Sequence, residues 1–454
     1  MDFVTIFLLL IPVIALYVRT PTALVSTGEA ALNLGLVVVI TLLFLGIATA
    51  FLHAYIFRRT RHAAARDGEV SLRLGRAGQF FVYGLAGLYF AQVHYLLLKE
   101  SFEAIFFPSE WFMVSDLLLL QPFLVPFVLF RAWISKLGMR VRGLEVSYRS
   151  ELVRQLRTTS LLLAPQLLYL NVYRSIVQDI PGLDDIFTEH PLLGFVVAGT
   201  LLFTLFVFSP YFIRLLFTRV ELRHHAAGPE LLPMLDSLAR RSRITLDRVY
   251  VWLTRERRIA NAAVSGLFRQ QRAVFLTDHL LSSLTPPEVV AVVAHELGHT
   301  RFLHLLFNFL LAIMSGIFVI WGMLLLDSFI HSQEDVGVAI VLLEAVYITV
   351  VFGLFARRFE RQADLYAAHA VGSAQLVCAA LLKLATANGV SVKRSTLTHP
   401  SIHARVKRLA ALSRKYQGDF TRPVAKAIGA NAGIALGLIG LFVYTMMELG
   451  DLPL

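Results

Sequence analysis

Apolar runs long enough to cross a membrane alternate with short polar stretches through most of this chain. A hydrocarbon core about 30 Å thick takes about 17–25 residues of helix. Runs of that kind fall at 3–18, 31–57, 80–98, 111–130, 159–177, 192–217, 302–330, 336–356 and 427–447. The first is short, but it lacks a basic n-region and a small-residue cleavage site, so it reads as a retained span rather than a signal peptide. Pro165, Gln166 and Asn171 interrupt the fifth. The pattern predicts a polytopic α-helical membrane protein of about nine spans.

Two longer polar segments, 218–301 and 357–426, interrupt the spans. In the first, 246–253 and 273–276 are β-branched and aromatic-rich and read as strands, with 258–266 as a third at an edge. Thr285, Pro286 and Glu288 form a capping box that starts a helix, and Val289, Val290, Val292 and Val293 carry it toward His295. The second segment reads as mostly helical, over 357–385 and 401–414. The expected division is a six-span membrane domain over 1–217, one α+β domain made of 218–301 and 357–426, a transmembrane hairpin over 302–356 splitting it, and a last span in 427–454.

Composition and charge sharpen this. Of 454 residues 57% are hydrophobic and only 16% charged, where a soluble chain carries about a quarter charged residues. Soluble globular and disordered classes are excluded. A net charge of +11 would suit a nucleic-acid partner, but the basic residues sit in alternate loops. Arg58, Arg59, Arg61, Arg66, Arg73 and Arg76 follow the second span; Arg131, Lys136, Arg140, Arg142, Arg149, Arg154 and Arg157 follow the fourth. The intervening loops carry only Arg19, Lys99 and Arg174, and hold acids such as Glu103, Asp184 and Asp185 instead. Short basic loops stay cytoplasmic, which puts the N-terminus in, the C-terminus out and both polar segments on the cytoplasmic side. The charge is thus a topology signal with anionic lipid as a secondary contact, and no nucleic-acid partner is expected. Cys378 is the one cysteine, so neither an intrachain disulfide nor a Cys-based metal cluster can form.

The chemistry-bearing string is His295-Glu296-Leu297-Gly298-His299. Positions i and i+4 share a helix face, so both imidazoles can hold one zinc with Glu296 beside it as general base. Chance alone would produce such a match about one or two times in a hundred, and catalytic zinc takes three protein ligands. Glu360 is the candidate third. The expected hairpin leaves the membrane surface just after His299 and returns just before Arg357, with legs of similar length at about 1.5 Å per residue. Asp364, one turn later on the same face, is placed to hydrogen-bond a ligand imidazole. A salt bridge from Glu360 to Arg357, Arg358 or Arg361 is the plainer alternative. Read from its residues alone, His399 is a turn residue before Pro400.

These elements together resemble the integral-membrane zinc metallopeptidases related to the CAAX prenyl proteases and the bacterial heat-shock protease HtpX. The HExxH string, two spans, Glu360 and Asp364 in an ExxxD pattern, then Thr398-His399-Pro400-Ser401 with Arg405 occur in the family's order, and Asn261-Ala262 resembles its substrate-binding edge strand. The resemblance covers 219–412. It implies a gluzincin-type, zincin-like domain with one zinc per chain on His295, His299 and Glu360, and Glu296 as base. It further implies that His399 stabilises the oxyanion, Arg405 supports the site, Asp364 orients a ligand histidine, and the backbone around Asn261 and Ala262 pairs with an extended substrate. Segment 1–217 carries no matching motif, and the span after the catalytic segment fits neither relative well.

The expected function is a zinc endopeptidase in the membrane, taken to be a bacterial inner membrane. It would cut membrane-associated or misfolded proteins at the cytoplasmic face. The rivals are a transporter or channel, and a zinc-binding pseudoprotease with a scaffolding role. Against the first stands the lack of paired broken spans; against the second, the retention of Glu296. His94, Asp116 and Glu344 inside expected spans either bond neighbouring helices or line a polar cavity continuous with the metal site, the former being favoured. Phe302, Leu303, Leu305 and Leu306 read as facing lipid or helix rather than a specificity pocket. Oligomeric state is left open.

Overall fold

The structure, a computed structural model, describes residues 25–60, 67–106, 114–141, 143–216, 218–246, 248–254, 257–326 and 333–450. Two compact units divide the chain: Met1–Ile180 with Gly322–Leu343, and Pro181–Trp321 with Glu344–Leu454.

The first unit is helical. Thr27–Thr60, Asp67–Tyr95, Gln121–Val141 and Tyr148–Asp179 are its long helices, and they pack around the fully buried side chains of Leu85, Tyr89, Leu120, Phe123, Phe127 and Leu167. The expected third span is not straight. Leu97 takes a left-handed φ of 47°, and the chain bends by 62° between Leu74–Tyr95 and Leu98–Phe106. Asn171 in Tyr148–Asp179 donates to the Asp116 carboxylate at 2.6 Å, so Asp116 makes an interhelical hydrogen bond, the favoured alternative.

The second unit carries a four-stranded sheet of β1 (Arg219–Glu221), β2 (Val249–Trp252), β3 (Ala262–Ser265) and β4 (Ala273–Thr277), ordered β1-β2-β4-β3. β2 and β4 are parallel and the outer pairs antiparallel. All residues of β4 are buried, as a central strand covered on both faces requires. β2, β3 and β4 fall in the expected runs, with β3 at the edge; the short β1 was not anticipated. The HExxH helix is Pro286–Arg301. Its capping box is present, the Thr285 amide and hydroxyl each donating to Glu288 at 2.8 Å. Val289, Val293, Ala294 and Leu297 bury the helix in one core with Val251, Leu276 and Tyr366.

The helix His304–Leu326 leaves this core. The chain returns through Gln333–Val346, a π-helical turn at Tyr347–Phe352 and the helix Gly353–Val371. The Tyr347 hydroxyl donates to the Leu311 carbonyl at 2.7 Å, so the return leg runs beside the outgoing one. Ala374–Ala387, Ile402–Lys415 and Thr421–Gly450 complete the chain.

Among the described residues four helices are long and apolar enough to cross a membrane: Thr27–Ala54, Gln121–Val141, His304–Leu326 and Thr421–Thr445. The bent pair makes five if it is one span. The expected span 3–18 lies outside the described residues. The expected sixth span has a shorter apolar stretch, Val196–Phe208, and the eighth is interrupted by the π-helical turn.

Candidate active site

The HExxH spacing works as the geometry of a helix requires. The Nε2 atoms of His295 and His299 lie 3.4 Å apart. Gly298, between them, lets the return helix approach: a Cβ there would stand 2.8 Å from the Ala363 Cα and 3.1 Å from its carbonyl oxygen. One turn before Ala363, Glu360 places Oε2 3.7 Å from His295 Nε2 and Oε1 3.7 Å from His299 Nε2. These ligand atoms of His295, His299 and Glu360 all lie within 4.8 Å of one another. Two imidazole nitrogens and one carboxylate oxygen are the donor set that suits zinc with an open position.

The far sides of these three side chains are held too. His295 Nδ1 is 3.1 Å from Asp364 Oδ1, the orienting contact expected of Asp364. Arg405 donates to Asp364 twice, at 2.9 Å from Nε and 2.6 Å from Nη2, and its Nη1 is 3.2 Å from Glu360. His399 Nδ1 lies 3.0 Å from Glu360, with its side chain 59% exposed at the rim. Burial raises the Glu360 carboxyl, but His399, His295 and Arg405 outweigh it and hold the group well below the usual carboxylate range. Burial, with His295 beside it, pushes the His299 imidazole down to about 3, so the ring is neutral at physiological pH as a metal ligand must be.

Glu296 sits between His295 and His299 on the same helix, and burial pushes its carboxyl up to about 7. The Val264 amide of β3 opposes that rise, so the carboxyl stands against the sheet edge. Asn261 turns its backbone into the sheet: its carbonyl accepts from Thr277 N at 3.0 Å, and its amide donates to Thr277 Oγ1 at 2.9 Å. By the alternation of an antiparallel ladder, Ala262 and Val264 then present their backbone groups to the open side. The open backbone positions on this edge are therefore Ala262 and Val264, and Asn261 lines the cavity beside them. Asn388 pins the start of the strand, bonding the Ala260 amide at 3.0 Å and carbonyl at 2.8 Å.

A cavity of about 520 Å³ joins this edge to the ligands. Leu303 and Leu305 stand at its mouth, where they remain 50% and 37% exposed. Phe302 is buried in the domain core.

The sequence reading missed His304, Gln362 and Asn431, which lie behind His299. A third histidine five positions after the motif, and an asparagine in an apolar span, were the available signals.

The model of Peptidase family M48 matches residues 227–413. The match covers less than half of the chain. The chain is 27% identical over 222 residues to a protease HtpX homolog of Sulfurovum sp. (strain NBC37-1), covering 42% of this chain and 77% of that one. It is 29% identical over 170 residues to the CAAX prenyl protease 1 homolog of Oryza sativa subsp. japonica, covering 34% and 40%. The crystal structure of S. mikatae Ste24p is similar with a TM-score of 0.50 at 19% identity, over 81% of this chain and 98% of that one. The M48 segment alone cannot supply that share, so the likeness of fold extends into parts of the chain where no motif was legible. HExxH, ExxxD and the histidine-arginine pair of this chain all fall inside its M48 segment.

Proposed function

We propose that this chain is a zinc-dependent endopeptidase of the membrane that hydrolyses peptide bonds of membrane-associated or misfolded proteins at the cytoplasmic face. The observation that carries this is the convergence of His295, His299 and Glu360 within 4.8 Å, with Glu296 beside them on the cavity wall. A zinc ion held by those three side chains supplies Lewis acidity for the scissile carbonyl and the attacking water.

The chain's own groups do the rest. The open edge of β3, at Ala262 and Val264, pairs with an extended substrate as an added strand and lays its main chain across the cavity. Glu296 accepts a proton from the attacking water and passes it to the leaving amine. His399 stands at the rim to donate to the developing oxyanion. Asp364 holds the His295 ring through Nδ1, and Arg405 balances the Asp364 and Glu360 charges from behind. The nine-span topology, with N-terminus in and C-terminus out, belongs to the same reading and rests on the placement of arginines.

The test is cleavage of an unfolded reporter by purified wild type and Glu296→Gln, with zinc assayed in both. Zinc in both and cleavage only by wild type is expected. Equal cleavage by the two would remove Glu296 as base, and absence of zinc from wild type would remove the metal site.

A further inference from the structure

Behind His299 lies a run of buried polar side chains that no step above uses. His299 Nδ1 is 2.9 Å from His304 Nδ1, and His304 Nε2 is 2.8 Å from Gln362 Oε1. Gln362 Nε2 donates to Asn431 Oδ1 at 2.8 Å, and Asn431 Nδ2 donates to Gln362 Oε1 at 3.2 Å and to the Phe302 carbonyl at 3.5 Å. His304, Gln362 and Asn431 are 2%, 6% and 5% exposed. Three separate elements supply them: the segment after the HExxH helix, the Glu360 helix and the C-terminal helix.

The backbone is arranged to make this run. On an unbroken helix a side chain five positions after His299 would sit about 140° around the axis from it. Leu303 takes a left-handed φ of 56°, a conformation a branched, non-glycine side chain rarely adopts. The helix has stopped at Arg301, and this turn swings the His304 ring back against His299.

The direction of each bond follows from one fixed point. A backbone carbonyl can only accept, so Phe302 faces the amide nitrogen of Asn431, leaving Asn431 Oδ1 to accept from Gln362. Gln362 Oε1 is then the acceptor for a hydrogen on His304 Nε2. Neutral His304 has its lone pair on Nδ1, and His299 must donate to it from its own Nδ1. The remaining lone pair of His299 is on Nε2, the atom 3.7 Å from Glu360.

We propose that His304, Gln362 and Asn431 form a positioning relay that fixes the tautomer and orientation of His299 so that Nε2 is presented to the metal. The relay does for His299 what Asp364 does for His295, but with neutral groups, so the ring is held without a further negative charge beside it. It also gives the C-terminal helix a role in the site although Asn431 touches neither a ligand nor the cavity. The inference rests on His299 being a zinc ligand.

The experiment is zinc affinity of the full-length protein in detergent, by competition with a chromophoric chelator. Wild type is measured beside Gln362→Met, Gln362→Glu and Asn431→Leu, with apo-protein melting recorded for each. Methionine keeps the volume of Gln362 and removes the acceptor; glutamate keeps an acceptor for His304 and adds a buried charge. The relay requires zinc affinity about 10–100-fold lower in Gln362→Met, with Gln362→Glu near wild type. A position that merely packs gives the opposite order, and that order would overturn the relay. Asn431→Leu suits a membrane helix, and its affinity should fall at an unchanged apo melting temperature. Wild-type affinity in both Gln362→Met and Asn431→Leu would likewise overturn the relay while leaving the zinc site standing. Wild type that binds no zinc would remove the reading underneath instead.

Discussion

The proposed base, Glu296, can act only when deprotonated, and its environment pulls two ways. Burial pushes the carboxyl up to about 7, against His295 and Arg405, which favour the charged form. A bound dication favours that form further. Activity should therefore fall as pH drops through a value at or below about 7, read as the acid limb of a kcat/KM profile on a fixed peptide. An acid limb centred above pH 8 would rule out this carboxyl as the group being titrated. Residues at this scale were legible where the signal is local. His295, Glu296 and His299 follow from helical spacing, and Glu360 and Asp364 from a hairpin that must return to its starting surface. His304 was hidden because neither glycine nor asparagine marks the left-handed turn at Leu303. Asn431 was hidden because its carbonyl contact is with a residue 129 positions away in sequence.

Between elements, the closest approach is that of the HExxH helix to the Glu360 helix at Gly298. Glycine inside a helix is unfavourable by about 1 kcal/mol relative to alanine, so Gly298→Ala would stabilise an isolated helix. Here the added Cβ meets the Ala363 backbone at 2.8 Å, an atom that cannot swing away. Overpacking costs about 1–3 kcal/mol and outweighs the propensity gain. Gly298→Ala should lower the melting temperature and, because Glu360 is one turn from Ala363, weaken zinc binding as well. A higher melting temperature with unchanged zinc affinity would mean the two helices can part freely. Strands and caps were readable from β-branched runs and from Thr285 and Glu288. Three kinds of element were not: β1, which at three residues is too short for alternation; the bend at Leu97; and the π-helical turn, a hydrogen-bond shift with no composition of its own.

Over the whole molecule the sequence conveys membrane character more directly than span number. Apolar length identified Thr27–Ala54, His304–Leu326 and Thr421–Thr445, whereas the expected span 111–130 overlaps only the first half of Gln121–Val141, a helix that takes in Arg131, Lys136 and Arg140 from the expected loop. Polar residues such as Asn171 and Arg174 lower the apolarity of other helices while bonding within the first unit. Orientation is open to a direct check. In a Cys378→Ala background, Arg149→Cys and Arg394→Cys, both at exposed positions, should react with an impermeant maleimide only from the cytoplasmic side. Asp185→Cys, also exposed, should react only from the other. Labelling of Arg394→Cys and Asp185→Cys from one side would reverse the arginine-based topology.

The open side of β3 has a consequence for selectivity. Ala262 offers its amide and carbonyl and Val264 its carbonyl, and these recognise only the amides and carbonyls of another chain, which every protein has in equal measure. A segment already committed to its own helix or sheet has none to offer. An enzyme that engages its substrates along such an edge sorts them by conformation before it sorts them by residue, and discriminates against a folded protein without needing to recognise it.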